Sequence, residues 1–351
     1  MKKIHIKICD YDASDPCSYG VFIMKILQKY YNVVLSDNPE YIFYNESSSE
    51  HLNYDCIKIW YTGENIHSNF NFCDYAIGSD YMDFGDRYYR LPIYLVSTFY
   101  QEKELALEKS HNYKARLHFT KDDLAKKTEF CSFVYSNYLG ESARETFFKK
   151  LSAYKKVNAG GAYLNNIGER TDNKLAFELK HKFSIAFENS SRSGYTTEKL
   201  PTALAAQTIP IYWGNPEIGK EFNEKRFINC HAYNSFDQVV ERVKEIDNDD
   251  ELYLSIINES PVTEYDFDKV RNDVDSFLKN IIDRPLSEAR RRHINPVRAK
   301  QLEKSEKLVA RQLKKETRRK RFLASLYRPF KRIAFLEKLK ERYFIMTSLK
   351  K

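Results

Sequence analysis

Residues 183–222, FSIAFENSSRSGYTTEKLPTALAAQTIPIYWGNPEIGKEF, decide how this chain is read. They parse as a strand, a polar loop, a helix, a second strand and a turn. Between the apolar runs stand Glu188, Asn189, Tyr195, Glu198 and Lys199, a polar set that a buried core strand would not carry. In α/β folds, ligands bind beyond the carboxyl ends of strands and close to helix N-termini. The segment therefore marks a ligand site, and its position favours an anionic ligand. Pro201 falls early in the helical stretch. With Thr196 or Thr197 as cap, it lies in the first turn, where backbone N–H groups have no helical partner. That puts the helix start at Glu198 and Lys199.

The same alternation extends outward. In residues 1–125, strands are expected at 3–8, 41–44, 55–61 and 75–78, with a helix at 20–30 built on Val21, Met24, Ile26 and Leu27. The charged run 101–109 leads out of this region. In residues 126–262, strands are expected at 130–135, 183–188 and 208–213. Helices are expected from 142 to 151, near 198–206, and at 236–246. Strands alternating with helices argue for parallel sheets, and two such halves with a site in the second argue for an enzyme with a cleft. A helix at 265–282, within a closing segment at 263–286, is expected to pack on the body. No GxGxxG or GxxxxGK[ST] loop occurs, and Gly160-Gly161 is too short to stand for either.

Charge is divided unevenly. Residues 287–351 hold 22 Lys and Arg against 6 Asp and Glu, a net +16, whereas residues 1–286 net −8. After Pro329 the apolar positions Phe330, Ile333, Leu336, Leu339, Tyr343 and Met346 recur at helical spacing among Lys and Arg. A basic amphipathic helix of this kind suits an anionic membrane surface; a partner helix or a solvated extension are the alternatives. An acidic body without a nucleic-acid motif argues against nucleic acid as partner. The first ten residues, MKKIHIKICD, lack the apolar core of a secretory signal. No window approaches the roughly 18 apolar residues of a spanning helix. Six scattered Cys without a CxxC suggest neither zinc nor a disulfide framework and fit a reducing cytosol. The 26 Tyr and 23 Phe against 2 Trp suit sugar-like ligands, but low-GC coding is the plainer cause of that bias.

Several separated motifs together resemble the bacterial α1,3/4-fucosyltransferases. Phe187-Glu188-Asn189, GYTTEK (194–199) and IPIYWGNP (209–216) are similar to that family's donor-site signature. WYTGEN (60–65), FNFCDYAIG (70–78) and DFGDRYYRLPIY (83–94) resemble its N-terminal domain, and FVYSNYLGESARETFF (133–148) fits as well. The resemblance covers most of residues 1–260 in order; the seven-residue repeat of some bacterial members is absent. It implies a GT-B architecture of two Rossmann-like domains facing a cleft, with an acceptor domain at 1–125, a GDP-fucose domain at 126–262, and a basic helical tail at 287–351. It also implies inverting transfer of L-fucose from GDP-β-L-fucose to GlcNAc of an N-acetyllactosamine- or lactose-type glycan. The product would be of the Lewis x type, on surface polysaccharide. Transfer to type 1 chains, through O4 or both positions, is the alternative, and a non-catalytic glycan-binding relative the remote one. The expected location is the cytoplasmic face of the membrane, held peripherally through the tail.

Such a transfer needs a base for the acceptor hydroxyl, positive charge for the departing diphosphate, and carboxylates that tolerate a cationic sugar. Glu64, in a glycine-containing loop after a strand, is the expected base, with Glu188 and Glu198 as rivals. Lys199 and Arg144 are the expected phosphate ligands, Arg for its forked geometry. Glu198 is expected on ribose or fucose hydroxyls, Tyr195 against the donor, and Asn189 fixing the donor loop or fucose. Glu188 is expected either at the donor or as ion-pair partner of Lys199 or Arg144. His67 is expected to touch the acceptor. Asp10-Tyr11-Asp12 and the acidic run 247–250, the latter in a surface turn, are read as structural. No metal site is expected, and no cofactor is required, with divalent cations at most a non-essential stimulant.

Overall fold

The computed structural model describes residues 1–9, 18–46, 49–100, 118–138, 140–292 and 296–327. The charged run 101–109, the Asp10–Asp12 triplet, Cys17 and the amphipathic stretch after Pro329 lie outside these residues. Residues 1–292 form one compact unit, and a second begins at His293.

The first unit holds two sheets, parallel throughout. Strands β1 (Lys3–Ile8), β2 (Asn32–Leu35), β3 (Tyr41–Tyr44), β4 (Ile57–Tyr61), β5 (Tyr75–Gly78) and β6 (Tyr88–Arg90) form the first, in the order β2-β1-β3-β4-β5-β6. Strands β7 (Glu129–Phe133), β8 (Val157–Ala159), β9 (His181–Phe187), β10 (Ile209–Trp213) and β11 (Ile228–Asn229) form the second, in the order β11-β10-β9-β7-β8. Register is continuous across the central pair of the second sheet, from Ile209 opposite Phe183 to Trp213 opposite Phe187. Helices of the unit are α1 (Tyr19–Tyr30), α2 (Ile93–Tyr100), α3 (Lys121–Ala125), α4 (Ala143–Tyr154), α5 (Lys174–Glu178), α6 (Lys199–Ala205), α7 (Phe236–Asp247), α8 (Asp250–Ile257), α9 (Phe267–Ile282) and α10 (Leu286–Ala289).

Parallel sheets must be covered on both faces, and the period-two alternation of the strands sorts side chains accordingly. Tyr41, Phe43, Ile57, Ile59, Tyr75 and Ile77 enter one core with α1 and α9, while Ile42, Tyr44, Trp60 and Ala76 enter another on the opposite face. Phe183, Ile185, Phe187, Ile209 and Ile211 build the core under α7 and α8. Leu200, Ala203 and Leu204 of α6, with Tyr212 and Phe222, join the first domain's core. The two halves thus share apolar packing.

They also share a buried polar hub. Glu221 has no exposure. It accepts from Arg90 Nη2 at 2.6 Å and from the hydroxyls of Tyr81 and Tyr94, all three from the first domain. Arg90 continues outward, with Nε to the Ser79 carbonyl at 3.0 Å and Nη1 to the Tyr265 hydroxyl at 3.1 Å.

The chain's last body segment returns to the first sheet. Helix α9 packs there, and Tyr31 donates to Asp283 at 2.8 Å. Beyond α10, Arg292 forms an ion pair with Asp74 in which neither side chain is exposed. Asp74 also accepts the backbone N–H groups of Lys58 at 2.7 Å, Arg291 at 2.8 Å and Arg292 at 2.9 Å. This corrects the tail boundary expected at 287. Arg290, Arg291 and Arg292 read as tail charge, but they are body residues paired with Asp55, Asp86 and Asp74. The second unit's described part is the helix α11 (Pro296–Tyr327), on which Leu308, Val309 and Leu313 are exposed.

The acidic run 247–250 lies in the exposed turn between α7 and α8, with Asp247 at its buried end. The Asp247 side chain is buried between Lys182 at 2.8 Å and Lys155 at 3.0 Å, and Asp249 caps α8 by accepting from Leu252 N. The described cysteines, Cys9, Cys56, Cys73, Cys131 and Cys230, are buried.

Removing one member of a fully buried ion pair costs about 3–5 kcal/mol, because the other charge is left unpaired. Asp74→Ala is therefore expected to lower unfolding free energy by about that much. Urea unfolding measures it, and an unmoved midpoint would show that the pair does not hold the segment.

Candidate active site

The site grows from the end of β9. The strand stops at Phe187, and Glu188, 1% exposed, folds under the loop that follows. Its Oε1 accepts from Thr197 N at 2.8 Å and its Oε2 from Thr197 Oγ1 at 2.7 Å. One carboxylate thus closes the loop 188–197 at its base. Gly214 makes room for it: a Cβ there would lie 2.4 Å from Glu188 Cγ, which is why the strand after α6 ends in Trp-Gly. The role expected of Thr196 or Thr197 as helix cap is not found. Glu198 is the residue at the start of α6 and makes no side-chain cap. Thr197 bonds Glu188 instead, and Thr196 Oγ1 accepts from Asn215 Nδ2 at 3.2 Å.

Lys199 stands between two carboxylates. Its Nζ donates to Thr197 Oγ1 at 2.8 Å and lies 3.3 Å from Glu188 Oε2 and 3.5 Å from Glu198 Oε1. Burial pulls the ammonium down, but Glu188 and Glu198 outweigh it and lift the pKa above the usual lysine range. Desolvation pushes Glu198 up; the ammoniums of Lys199 and Lys174 prevail and hold it at about 2. Glu198 stays half-exposed while Glu188 does not. Of the donor-side carboxylates, Glu198 is therefore at the surface of the site and Glu188 beneath it. This narrows the expected donor role of Glu188 to positioning Lys199 and Thr197.

Arg144, in the first turn of α4, is also deeper than expected, with 2% exposure. Its Nη2 donates to the Phe187 carbonyl at 3.2 Å and to Asn189 Oδ1 at 2.8 Å, and its Nη1 to the Asn137 carbonyl at 3.3 Å. The guanidinium lies 4.0 Å over the Tyr135 ring, and Nε is buried with no hydrogen-bond partner among the described residues. Arg144 thus ties the ends of β7 and β9 together and sets Asn189.

Across from these groups, Glu64 is exposed in the loop after β4, its N–H donating to Thr62 Oγ1 at 3.0 Å. Tyr195, 2% exposed, connects the two sides. Burial pushes its phenol up first. Glu188, Glu64 and Glu198 push the same way, against Lys199. One phenol therefore feels the first-domain carboxylate and the second-domain charges together. Glu46, after β3, was missed by motif reading. Desolvation raises its carboxyl, the Thr62 hydroxyl bonds it, and the nearby Glu64 charge adds to the rise. Its only signal in the sequence is a carboxylate two residues after a strand.

His67, with a side chain 75% exposed, is held at one ring nitrogen. Its Nδ1 lies 2.7 Å from Arg192 Nη1 and 3.2 Å from Asp80 Oδ2, so that edge of the ring is engaged within the protein. Arg192 itself was overlooked, although an arginine inside a run of serines is a visible signal. Among the described residues no group of three or more His, Cys, Asp or Glu is placed to hold a metal ion.

Two predictions follow from this geometry. Gly194 has φ +81°, and a Cβ there would lie 2.3 Å from the Ser79 carbonyl oxygen. Gly194→Ala is expected to displace the loop 188–197 and lower its protection from hydrogen exchange; unchanged loop exchange would refute the fit. Any stabilisation from ionised Glu198 is fully present above about pH 4.5 and is lost progressively as pH falls from there through about 2. Glu198→Gln is therefore expected to leave stability between pH 5 and 7 with the same pH slope as the parent, read by urea titrations at several pH values; a changed slope there would contradict the depressed pKa.

Comparison with known proteins agrees with this geometry. Residues 6–97 match the profile of the alpha-(1,3)-fucosyltransferase FucT N-terminal domain, and residues 124–260 that of glycosyltransferase family 10 (fucosyltransferase) C-term. The chain is 35% identical over 271 residues to the alpha-(1,3)-fucosyltransferase FucT of Helicobacter pylori, covering 69% of this chain and 56% of that protein. It is 30% identical over 142 residues to the human 4-galactosyl-N-acetylglucosaminide 3-alpha-L-fucosyltransferase 9, covering 39% of this chain and 38% of that one. The chain thus spans about half or less of the length of these relatives. An alpha1,3-fucosyltransferase crystallised with GDP-fucose superposes with a TM-score of 0.65 at 29% identity, over 81% of this chain and 92% of that one. With two parallel α/β domains meeting at the loops of β4 and β9, the chain belongs to the family 10 fucosyltransferases and has their GT-B fold.

Proposed function

We propose that this protein is an inverting α1,3-fucosyltransferase that moves L-fucose from GDP-β-L-fucose to O3 of GlcNAc in an N-acetyllactosamine-type glycan, giving a Lewis x-type product on surface polysaccharide. The observation that carries the reading is that the loop of Glu64 is bonded, through Asn65 Nδ2 to Ser190 Oγ, to the loop that leads into Glu198 and Lys199, with Lys199 seated 3.3 Å from Glu188 and 3.5 Å from Glu198. The names of the relatives, and a related structure holding GDP-fucose, support the donor and the linkage.

In this reading Glu64 takes the proton of the acceptor hydroxyl as its oxygen attacks fucose C1 from the face opposite the diphosphate. The C1–O bond to phosphate breaks and GDP leaves. Lys199, kept charged by its carboxylate neighbours, stabilises the charge that develops on the diphosphate. Arg144 joins it when diphosphate oxygens replace the carbonyls of Asn137 and Asn189 around its guanidinium. Glu198 accepts from sugar hydroxyls, and Asn189 and Tyr195 shape the donor pocket. No cofactor enters this chemistry, so transfer is expected to survive chelation with EDTA, with added divalent cations at most stimulating it.

The test is direct. Pure protein with GDP-fucose and a type 2 disaccharide is expected to give an α1,3-linked trisaccharide by NMR. Absence of transfer to any lactosamine acceptor would refute the reading, and an O4 linkage on type 1 chains would reassign the specificity. Glu64→Ala is expected to lower kcat by at least about 100-fold, with GDP affinity by calorimetry retained; an unimpaired variant would remove Glu64 as base.

We further propose that the basic tail seats the protein peripherally on the anionic inner face of a membrane. The Asp74–Arg292 pair sets where the tail can be cut without harm. A chain ending at Arg292 is expected to keep transfer activity but to lose binding to vesicles containing anionic lipid. Undiminished vesicle binding would overturn the tether.

A further inference from the structure

Loop 188–197 belongs to the second domain, yet its outer residues are held by the first. Asn65, the residue after Glu64, donates through Nδ2 to Ser190 Oγ. Arg192 Nη1 lies 2.8 Å from Asp80 Oδ1 and 2.7 Å from His67 Nδ1, and its Nη2 donates to Ser79 Oγ at 3.4 Å. Because a guanidinium only donates, His67 Nδ1 is the acceptor here. The side chains of Arg192 and Asp80 are 15% and 11% exposed, so the pair is shielded. Arg90 adds a bond to the Gly194 carbonyl at 3.3 Å.

Neither loop carries regular structure at these residues, and Ser190, Ser191, Ser193 and Gly194 bring little packing of their own. What sets the distance between Glu64 and Lys199 is therefore not the two sheets alone. We propose that Arg192 is a positioning residue for the transfer: through Asp80 and His67 it clasps the donor loop to the base loop, fixing Tyr195, Glu198 and Lys199 against Glu64. The inference rests on the fucosyl-transfer reading for its kinetic consequence, while the clasp itself is a property of the loops. In-line attack requires the reacting atoms at about 3–3.5 Å, and a displacement near 1 Å costs about 100-fold in rate.

Four variants of the full chain test it: Arg192→Gln, Asp80→Asn, the double substitution and Arg192→Lys. Arg192→Gln is expected to lower kcat by about 10- to 100-fold, with the Kd for GDP changed less than about threefold. The double variant is expected to be no worse than the poorer single variant, since both remove one interaction. Arg192→Lys, which keeps a charge for Asp80 without the fork, is expected to fall between parent and Arg192→Gln. Hydrogen exchange of the Arg192→Gln protein is expected to rise in both 63–67 and 190–195 while the strands stay protected. Multiplicative losses in the double variant, a parallel loss of GDP affinity, or unchanged exchange at 63–67 would each overturn the proposal. If the parent shows no fucosyl transfer but exchange in the two loops still rises together, the clasp stands and the assigned reaction falls.

Discussion

A carboxylate with no access to water is the constraint around which the two domains are arranged. Glu221 comes from the second domain, and its three side-chain donors, Arg90, Tyr81 and Tyr94, come from the first. Leaving such a group unpaired costs several kcal/mol, so separating the domains would strand a charge on each side. The apolar seam formed by Leu200, Leu204, Tyr212 and Phe222 adds the non-directional part of the attachment. Arg90 lies in both systems, since its Nη2 reaches Glu221 and the Gly194 carbonyl. The hub that joins the domains thereby touches loop 188–197.

The carboxylates of the site divide by depth. Glu188 is covered and hydrogen-bonded through both oxygens, which makes it a fixed point. Glu198 keeps part of its surface and is ionised through its lysine neighbours. Glu64 is exposed at the loop after β4. Rigid anchors below and accessible groups above form the layering expected of a site that must hold its geometry while a substrate enters. Arg144 shows the same economy of position: its backbone carbonyl contacts shape two strand ends at once.

Local pattern read the central strands well. The expected spans 3–8, 41–44 and 75–78 coincide with β1, β3 and β5, because flanking breakers and alternating apolar residues bound them. The strands β2, β6, β8 and β11 were not anticipated. The last three are two or three residues long, too short for periodicity to register, and β2, as long as β3, lies at a sheet edge with partly exposed residues. In the site, motif resemblance singled out Glu64, Arg144, Glu188, Glu198 and Lys199 but gave no depth, so the burial of Glu188 and Arg144 was not legible. Arg192–Asp80 and Arg90–Glu221 were illegible for a different reason. Each joins residues 112 to 131 positions apart, and no local pattern records such a pairing. The triple arginine 290–292 misled in the opposite direction, since a charge run looks solvated until its acidic partners are seen.

The return of the chain to its own beginning bears on how the protein is made. Lys2 donates to the Ile282 carbonyl, 280 residues away, and α9 fills a face of the sheet that the first ninety residues build. Domains fold from the N-terminus during synthesis, at about 5–20 residues per second. Here the first domain must wait, with the face that holds Ile4, Phe43, Ile59 and Ile77 covered by α1 but not yet by α9, until the second has been synthesised and α9 and Arg292 have emerged. The last step of the body's assembly therefore completes the domain that was translated first, and the interval before it is when part of an apolar parallel sheet is exposed to other nascent chains.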